Sequence, residues 1–448
     1  MSLGIALYCF VAGVQAQAAG LPVPCAGGTC AGGPSVWVTQ GLTAQPLPVI
    51  TPVTNDTGVK IGDQMDINQT TDKAVFNWAE FNVAKGNKVN FNQPTKSSLA
   101  LNKIFQNDPS KIFGAVTANG QIYLINQNGI LFGKDSQVNV GALIASSLNI
   151  DPEAESGGIL NPSLLRQGKA AFAVAIGEDG QPVPGKVVVE EGAKISTTAT
   201  GGGRVALIGQ QVENAGQIES PSGQVILAAG QKVYLQASDS PDLRGLLVEV
   251  DAGGTAWNQA TGQISSSLGN VSMVGLAVNQ DGRVSATTSV QSNGSVRLLA
   301  RDTVNVSLST TLQPTLKTSR AGAVTLGTGS RIEIDTEPPP DPDTGRKEKT
   351  AVPDQAQPLS AVEVVGRQIE MRGGSTIRVP GGSVSLTALP NPSVTSPTGD
   401  APLPLDTESW IRLEKGSRID VAGSVADVDL ARNLVEVELR TNELRDSP

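Results

Sequence analysis

Histidine is missing from all 448 residues, and cysteine occurs only three times. Without imidazole there is no Ser-His-Asp or Cys-His relay and no His-containing zinc site, and three thiols fall short of a four-thiolate site. Most hydrolase chemistry is therefore excluded. Aromatic residues are also scarce, with 4 Trp, 3 Tyr and 8 Phe, and charged residues make up 17%. The 33 Lys+Arg against 42 Asp+Glu leave a net charge of -9. That balance repels phosphate backbones and supplies no counterion release, so nucleic acid is excluded as a partner. Past the N-terminus no apolar run reaches the roughly 18 residues a membrane helix needs, so no membrane span is expected in the mature chain. What is plentiful is glycine (50) and proline (28), in a chain that is 39% apolar. Such a length can bury a large core, but one compact domain would be too small for it; several domains or an elongated solenoid are implied.

Residues 1–18 read as an export signal: an apolar run, LGIALYCFVAGV from Leu3, is followed by Ala16-Gln17-Ala18, a small-residue cleavage pattern. The first basic residue is Lys60, so the positive flank of a signal is missing and the true start is expected upstream of Met1. Residues 19–34 are crowded with Pro and Gly and read as a disordered lead-in. They hold Cys25 and Cys30, which either close a small disulfide loop in an oxidising compartment or remain idle thiols.

The body of the chain is periodic. A phrase Gly-x-Val-x-Leu/Met starts at Gly203, Gly223, Gly269, Gly294, Gly322 and Gly382, with spacings of 20, 46, 25, 28 and 60. A second phrase centres on Ile195, Ile218, Ile264, Val284, Ile332, Ile377 and Ile419, spaced 23, 46, 20, 48, 45 and 42. Most of these intervals read as one or two units of 20 to 25 residues. Each phrase alternates apolar and polar residues between turn formers, the pattern of a short half-buried strand. Two or three such strands per unit describe a rung of a right-handed parallel β-helix, expected from about residue 59 to 437. An antiparallel sandwich array gives the same alternation without a shared period.

Three stretches break the pattern. Pro-rich loops are expected near 337–358 and 389–406, and an irregular segment at 151–185 contains Leu164-Leu165-Arg166 as a helical turn. Asp341-x-Asp343-x-Gly345 lacks the further ligands of a calcium loop, and neither metal nor cofactor is expected.

Residues 74–150 read as strands at 75–78, 88–91, 121–125, 130–132 and 137–140, joined by Asn-Gly and Gly turns, with no catalytic constellation. The phrases here are Asn77-Trp78 with Phe81-Asn82, Val89-Asn90-Phe91 with Gln93-Pro94, Leu101-Asn102, Asp108 to Ser110 and Ala118 to Gln121. They are followed by Asn126-Gln127-Asn128-Gly129-Ile130 and by Val138 to Gly141. In this order they resemble the N-terminal secretion domain of filamentous haemagglutinin-like exoproteins from two-partner secretion systems. Gln127 stands where the family's Asn-Pro-Asn-Gly-Ile has Pro, and Asn161-Pro162-Ser163-Leu164 lies downstream of where an Asn-Pro-Asn-Leu motif would fall. The likeness covers residues 35–235; residues 236–448 then continue the repeats, and the tail from Asn433 looks like an internal portion of larger members.

The resemblance implies a non-enzymatic exoprotein of a Gram-negative bacterium, passed through the periplasm to a dedicated outer-membrane β-barrel transporter with periplasmic receptor domains, and released or displayed at the surface. It makes Asn77, Trp78, Asn90, Phe91, Gln93, Pro94 and the segment Asn126 to Ile130 the candidate recognition residues, acting through an exposed strand edge. Asn126, Asn128 and Gly129 can equally be a turn alone. Host or bacterial surface receptors are the expected later partners of an adhesin or stalk. The alternatives are the carrier portion of a secreted contact-dependent toxin and a β-helix polysaccharide-degrading enzyme. The enzyme would need carboxylates in register on neighbouring rungs, which Glu190-Glu191 and Asp427 with Asp429 do not offer.

Overall fold

A computed structural model of the protein describes residues 20–25, 30, 38–39, 48–198, 203–238, 243, 245–288, 293–310, 312–336, 359–393 and 408–423. The chain is a parallel β-helix. Three long sheets form its walls. The first runs from Lys73–Glu80 through Gln121–Ile125 and Gln224–Ala229 to Ser383–Ala388. The second runs from Ser110–Ile112 through Ile130–Phe132 to Trp410–Leu413, and the third from Lys60–Asn68 through Lys88–Asn92 and Gln137–Val140 to Arg418–Asp420. The chain circulates from third to first to second sheet and back: Lys194–Thr197, Arg204–Gly209, Gln211–Asn214, then Gln217–Glu219. Where nothing intervenes, one residue turns the corner from first to second sheet, as at Gln210, Leu276 and Arg367.

The repeat phrases are register positions. Ile195, Ile218, Ile264, Val284, Ile332, Ile377 and Ile419 pair in an unbroken column of the third sheet. Val205, Val225, Val271, Val296, Val362 and Val384 do the same in the first. The phrase at Gly322 is the exception, since its strand Ala323–Leu326 belongs to the second sheet. This corrects the arithmetic of the spacings. Intervals of 42 to 48 residues are single rungs carrying insertions, because their end residues are direct neighbours. Two insertions are hairpins thrown out at the corner between first and second sheets: Lys232–Ala237 with Leu246–Asp251, and the end of Ser295–Leu308 with Pro314–Ala321. The expected loops at 337–358 and 389–406 fall within the other two long intervals; of them only 389–393 are among the described residues.

Aliphatic layers fill the interior between the sheets, and the early aromatics close its N-terminal end. Phe76 and Phe91 lie 6.2 Å apart, and Trp78 meets Phe81 edge-on at 5.3 Å. A second core lies outside the first wall. Asn149–Ile150, Phe172–Ala173 and the first hairpin form an antiparallel four-stranded sheet. It covers the outward Tyr123, Ile144, Ile208, Ile226 and Val274 with Phe172, Val233, Val248 and Val250. Central first-sheet strands are therefore buried on both faces, not one as expected for the repeat strands, and Gln224–Ala229 has no solvent-facing position. The helix Pro152–Gly157 is capped by Asp151, whose side chain accepts from the Glu153 N–H at 2.8 Å, and Pro162–Arg166 is capped likewise by Asn161. Their Ala154 and Leu164 pack into this outer core.

The reading of 19–34 as disordered is corrected for the residues described there. Leu21 and Cys25 are buried, Val23–Pro24 pairs antiparallel with the first-sheet strand Lys73–Glu80, and Cys25 is disulfide-bonded to Cys30 with Cα atoms 5.9 Å apart. Burying Leu21 and satisfying a strand edge outweighs the flexibility of the Pro and Gly around them. Val38–Thr39 pairs on the same strand, and Val49–Thr54 pairs antiparallel with Lys60–Asn68. The Asn-rich strands thus have no open N-terminal edge, which corrects the expectation of recognition through one of them.

Candidate functional site

The segment Asn126 to Ile130 makes the corner between Gln121–Ile125 of the first sheet and Ile130–Phe132 of the second. The Gly129 N–H donates to the Asn126 carbonyl at 2.9 Å, closing a four-residue turn. Asn126 is fully buried: its Oδ1 accepts from the Asn128 N–H at 2.9 Å, and its Nδ2 donates to Ser110 Oγ at 3.0 Å and the Asp108 carbonyl at 3.2 Å. Asn128 Nδ2 donates to the Gln106 carbonyl at 2.7 Å. Gly129 has φ +110°, and a Cβ there would lie 2.6 Å from the Lys186 carbonyl oxygen. Ile130 faces the interior, so of this segment only Gln127 and Asn128 reach solvent, and only in part.

Gln93 occupies a different corner, between the third and first sheets. It donates to Gln69 Oε1 at 3.1 Å and the Ser98 carbonyl at 3.0 Å, and accepts from the Gly120 N–H at 3.0 Å. Pro94 beside it is exposed. Trp78 and Phe91 are core residues; the Trp78 indole N–H donates to Asn102 Oδ1 at 2.9 Å inside the protein. Asn77 faces outward from the first sheet with its Oδ1 buried and unpartnered, and Asn90 stands on the outer face of the third sheet between Asp66 and Thr117. The candidates therefore do not converge on one surface patch. They build the corners and the sealed end of the helix, with buried amides passing hydrogen bonds from rung to rung. Gln69, Gln106 and Asn102 belong to these ladders and were not among the candidates. The signal that could have found them is a polar residue recurring at one rung's interval, 24 residues from Gln69 to Gln93.

No group of three or more His, Cys, Asp or Glu side chains gathers as a metal site among the described residues. Glu190 accepts from the Lys134 N–H at 3.1 Å in a turn, and Asp427 and Asp429 lie outside the described residues. No helix among the described residues is long and apolar enough to cross a membrane.

The TPS secretion domain family matches residues 44–326, well over half of the chain. The chain belongs to this family. A TPS secretion domain makes it an exoprotein of a two-partner secretion system, exported to the outside or cell surface of a Gram-negative bacterium. The matched span of the TPS domain passes residue 235, where the three sheets also run on without a break. One relative, a heme/hemopexin-binding protein of Haemophilus influenzae, is 32% identical over 181 residues, which is 40% of this chain and 18% of that protein. A second heme/hemopexin-binding protein from that species is 34% identical over 94 residues, 21% of this chain and 10% of that protein. The chain thus matches less than a fifth of the length of either relative. Among solved structures, the HMW1 secretion domain from Haemophilus influenzae shares the fold with a TM-score of 0.56 at 21% identity, covering 85% of this chain and 83% of that one.

Proposed function

We propose that this TPS domain addresses the chain to a β-barrel transporter with periplasmic receptor domains, and that the β-helix then serves as a non-enzymatic adhesin or surface stalk. The observation that carries the recognition step is the hairpin at the N-terminal end. Val49–Thr54 is the outermost strand of the third sheet among the described residues, and nearly all of its side chains are exposed. Val49, Ile50, Val59 and Ile61 stand out at 51%, 38%, 59% and 52% exposure, in a family matched from residue 44. Such an edge suits strand addition by a receptor domain, with main-chain bonds giving affinity and the apolar side chains specificity. The buried Asn126 turn contributes by fixing the fold that presents this edge.

The test is export from cells co-expressing the cognate transporter. Val49→Asp with Ile50→Asp should reduce the exported fraction about tenfold while the purified chain keeps its melting profile, since both side chains lie outside the core. Export at the normal level would overturn the assignment of the edge. A second reading, binding of haem or hemopexin, is favoured by the names of the two relatives. With no histidine in the chain and Cys25 joined to Cys30, an axial haem ligand would have to come from another side chain such as Met or Tyr.

A further inference from the structure

The outer face of the second sheet carries half of the tryptophans of the whole chain, Trp257 and Trp410, both pointing away from the core and partly exposed. They stand four rungs apart in the column order Thr255, Ala277, Ala323, Gln368, Trp410 and, beside it, Trp257, Asn279, Thr325, Glu370, Arg412. At the strand spacing of a sheet this is about 19 Å. Between them the floor is small and uncharged on two rungs, Ala277 with Asn279 and Ala323 with Thr325, and carries Gln368 and the charged Glu370 on the third, so the two indoles bound a shallow trough. Trp257 is held in place by its indole N–H, which donates to Asp281 at 2.7 Å. Arg412 lies 5.1 Å from the Trp410 ring centre and 3.5 Å from Glu370, whose charge is also met by Arg372 at 3.1 Å. The charges at that end thus largely satisfy one another. The Asn279 amide and the Thr325 hydroxyl make no hydrogen bond with any described residue.

We infer that this trough binds a linear, neutral oligosaccharide of about four β-linked hexoses, lying along the helix axis. A pinned indole offers an apolar ring face to the C–H face of a pyranose, and unengaged amide and hydroxyl groups one rung apart offer partners to its hydroxyls. A β-linked hexose advances by nearly the distance of one rung, so successive sugars meet equivalent positions on successive strands. This deepens the adhesin reading above and rests on it, but the site is tested with purified protein and independently of export.

The experiment titrates the purified chain with cellotetraose and chitotetraose, with the dimers and tetragalacturonate as comparison, by calorimetry and tryptophan fluorescence. The neutral tetramers should bind, the dimers about tenfold more weakly. Trp257→Ala should weaken the tetramers by about tenfold or more with the β-sheet circular dichroism unchanged. Asn279→Leu, isosteric and on the surface, should also weaken binding and covers the case in which the tryptophan variant folds poorly. No binding of either neutral tetramer up to about 1 mM, or binding indifferent to both substitutions, would overturn the inference. Binding of tetragalacturonate alone, lost in Arg412→Ala, would also overturn it by making the ligand anionic. Export through the transporter should be normal in all these variants, so failure here leaves the secretion reading untouched.

Discussion

Asn126 and Gly129 show what a family phrase means for a single side chain. Both amide atoms of Asn126 are used inside the protein, and truncation to alanine strands the Asn128 N–H and withdraws a donor from the Asp108 carbonyl and Ser110. Asn126→Ala is therefore expected to lower the unfolding free energy by about 1–3 kcal/mol, measured by urea denaturation. Gly129→Val forces a β-branched residue to positive φ and its Cβ against the Lys186 carbonyl, and should cost about 2 kcal/mol or more, with a matching fall in export. Gln127→Pro should be neutral. Gln127 follows the first residue of the turn, where proline's fixed φ fits, and its N–H donates no hydrogen bond among the described residues. A melting temperature within error of the parent checks this.

At the scale of elements, the two hairpins outside the first wall are joined to the wall and to each other by charge. Arg301 donates two hydrogen bonds to Glu249 of the first hairpin, and Arg320 grips Asp302, which also accepts from the Gly253 N–H at 2.9 Å. Burial raises the Glu249 carboxyl above its ordinary value, against the pull of Arg301. Burial pushes Asp302 the same way but is outweighed by its bonds to Arg320 and Gly253, which leave it lowered. The two carboxyls therefore have opposite pH signatures. An acid with a raised folded pKa favours the fold most below its unfolded value and loses that advantage as pH rises through the folded one. Relative to Glu249→Gln, the parent should gain stability as pH falls into the carboxylate range. Relative to Asp302→Asn, it should be favoured above the unfolded pKa and lose that advantage as pH falls through the lowered value. Urea titrations across pH for the two variants read both slopes. Arg301→Ala, which leaves Glu249 buried without its partner, should cost about 3–5 kcal/mol and raise hydrogen exchange in both hairpins.

For the whole molecule the stack is one-dimensional, each rung resting only on its neighbours, so stability should be graded along the axis. Amide exchange should be slowest in Gln224–Ala229 and Asn270–Gly275, which are flanked by rungs on both sides and covered outside. It should be fastest in Trp410–Leu413 and Arg418–Asp420, where Ile411, Leu413 and Ile419 are 44%, 54% and 38% exposed. Uniform protection would contradict the one-dimensional account. Replacing the hairpin from Lys232 to Asp251 by a one-residue corner like Gln210 should preserve the β-helix. It would bare Ile226, Ala228 and Val274 on the outer wall, giving dye binding and self-association.

The amino-acid sequence by itself determined the rung. A β-branched or aliphatic residue returning between turn formers can satisfy its period only by stacking on its own kind, and the column from Ile195 to Ile419 follows. It also determined the Asn-Gly corner and the helical turn at Leu164 to Arg166, because caps and turns are decided by neighbours in the chain, while the helix Pro152–Gly157 lay in a stretch read as irregular. Only the tertiary structure decided how many rungs there are, since an insertion and an extra rung have the same length in sequence. It alone decided that the first wall is buried on both sides. The runs GQVILAAG and QIYLI carry that information as unbroken apolar stretches, but what covers them comes from the insertions at 149–173 and 232–251, which neither run encodes. It also decided that Trp78, Phe91 and Asn126 face inward while Trp257 and Trp410 face out. A strand's alternation fixes that its two faces differ, and only the closing of the sheets fixes which one is the inside.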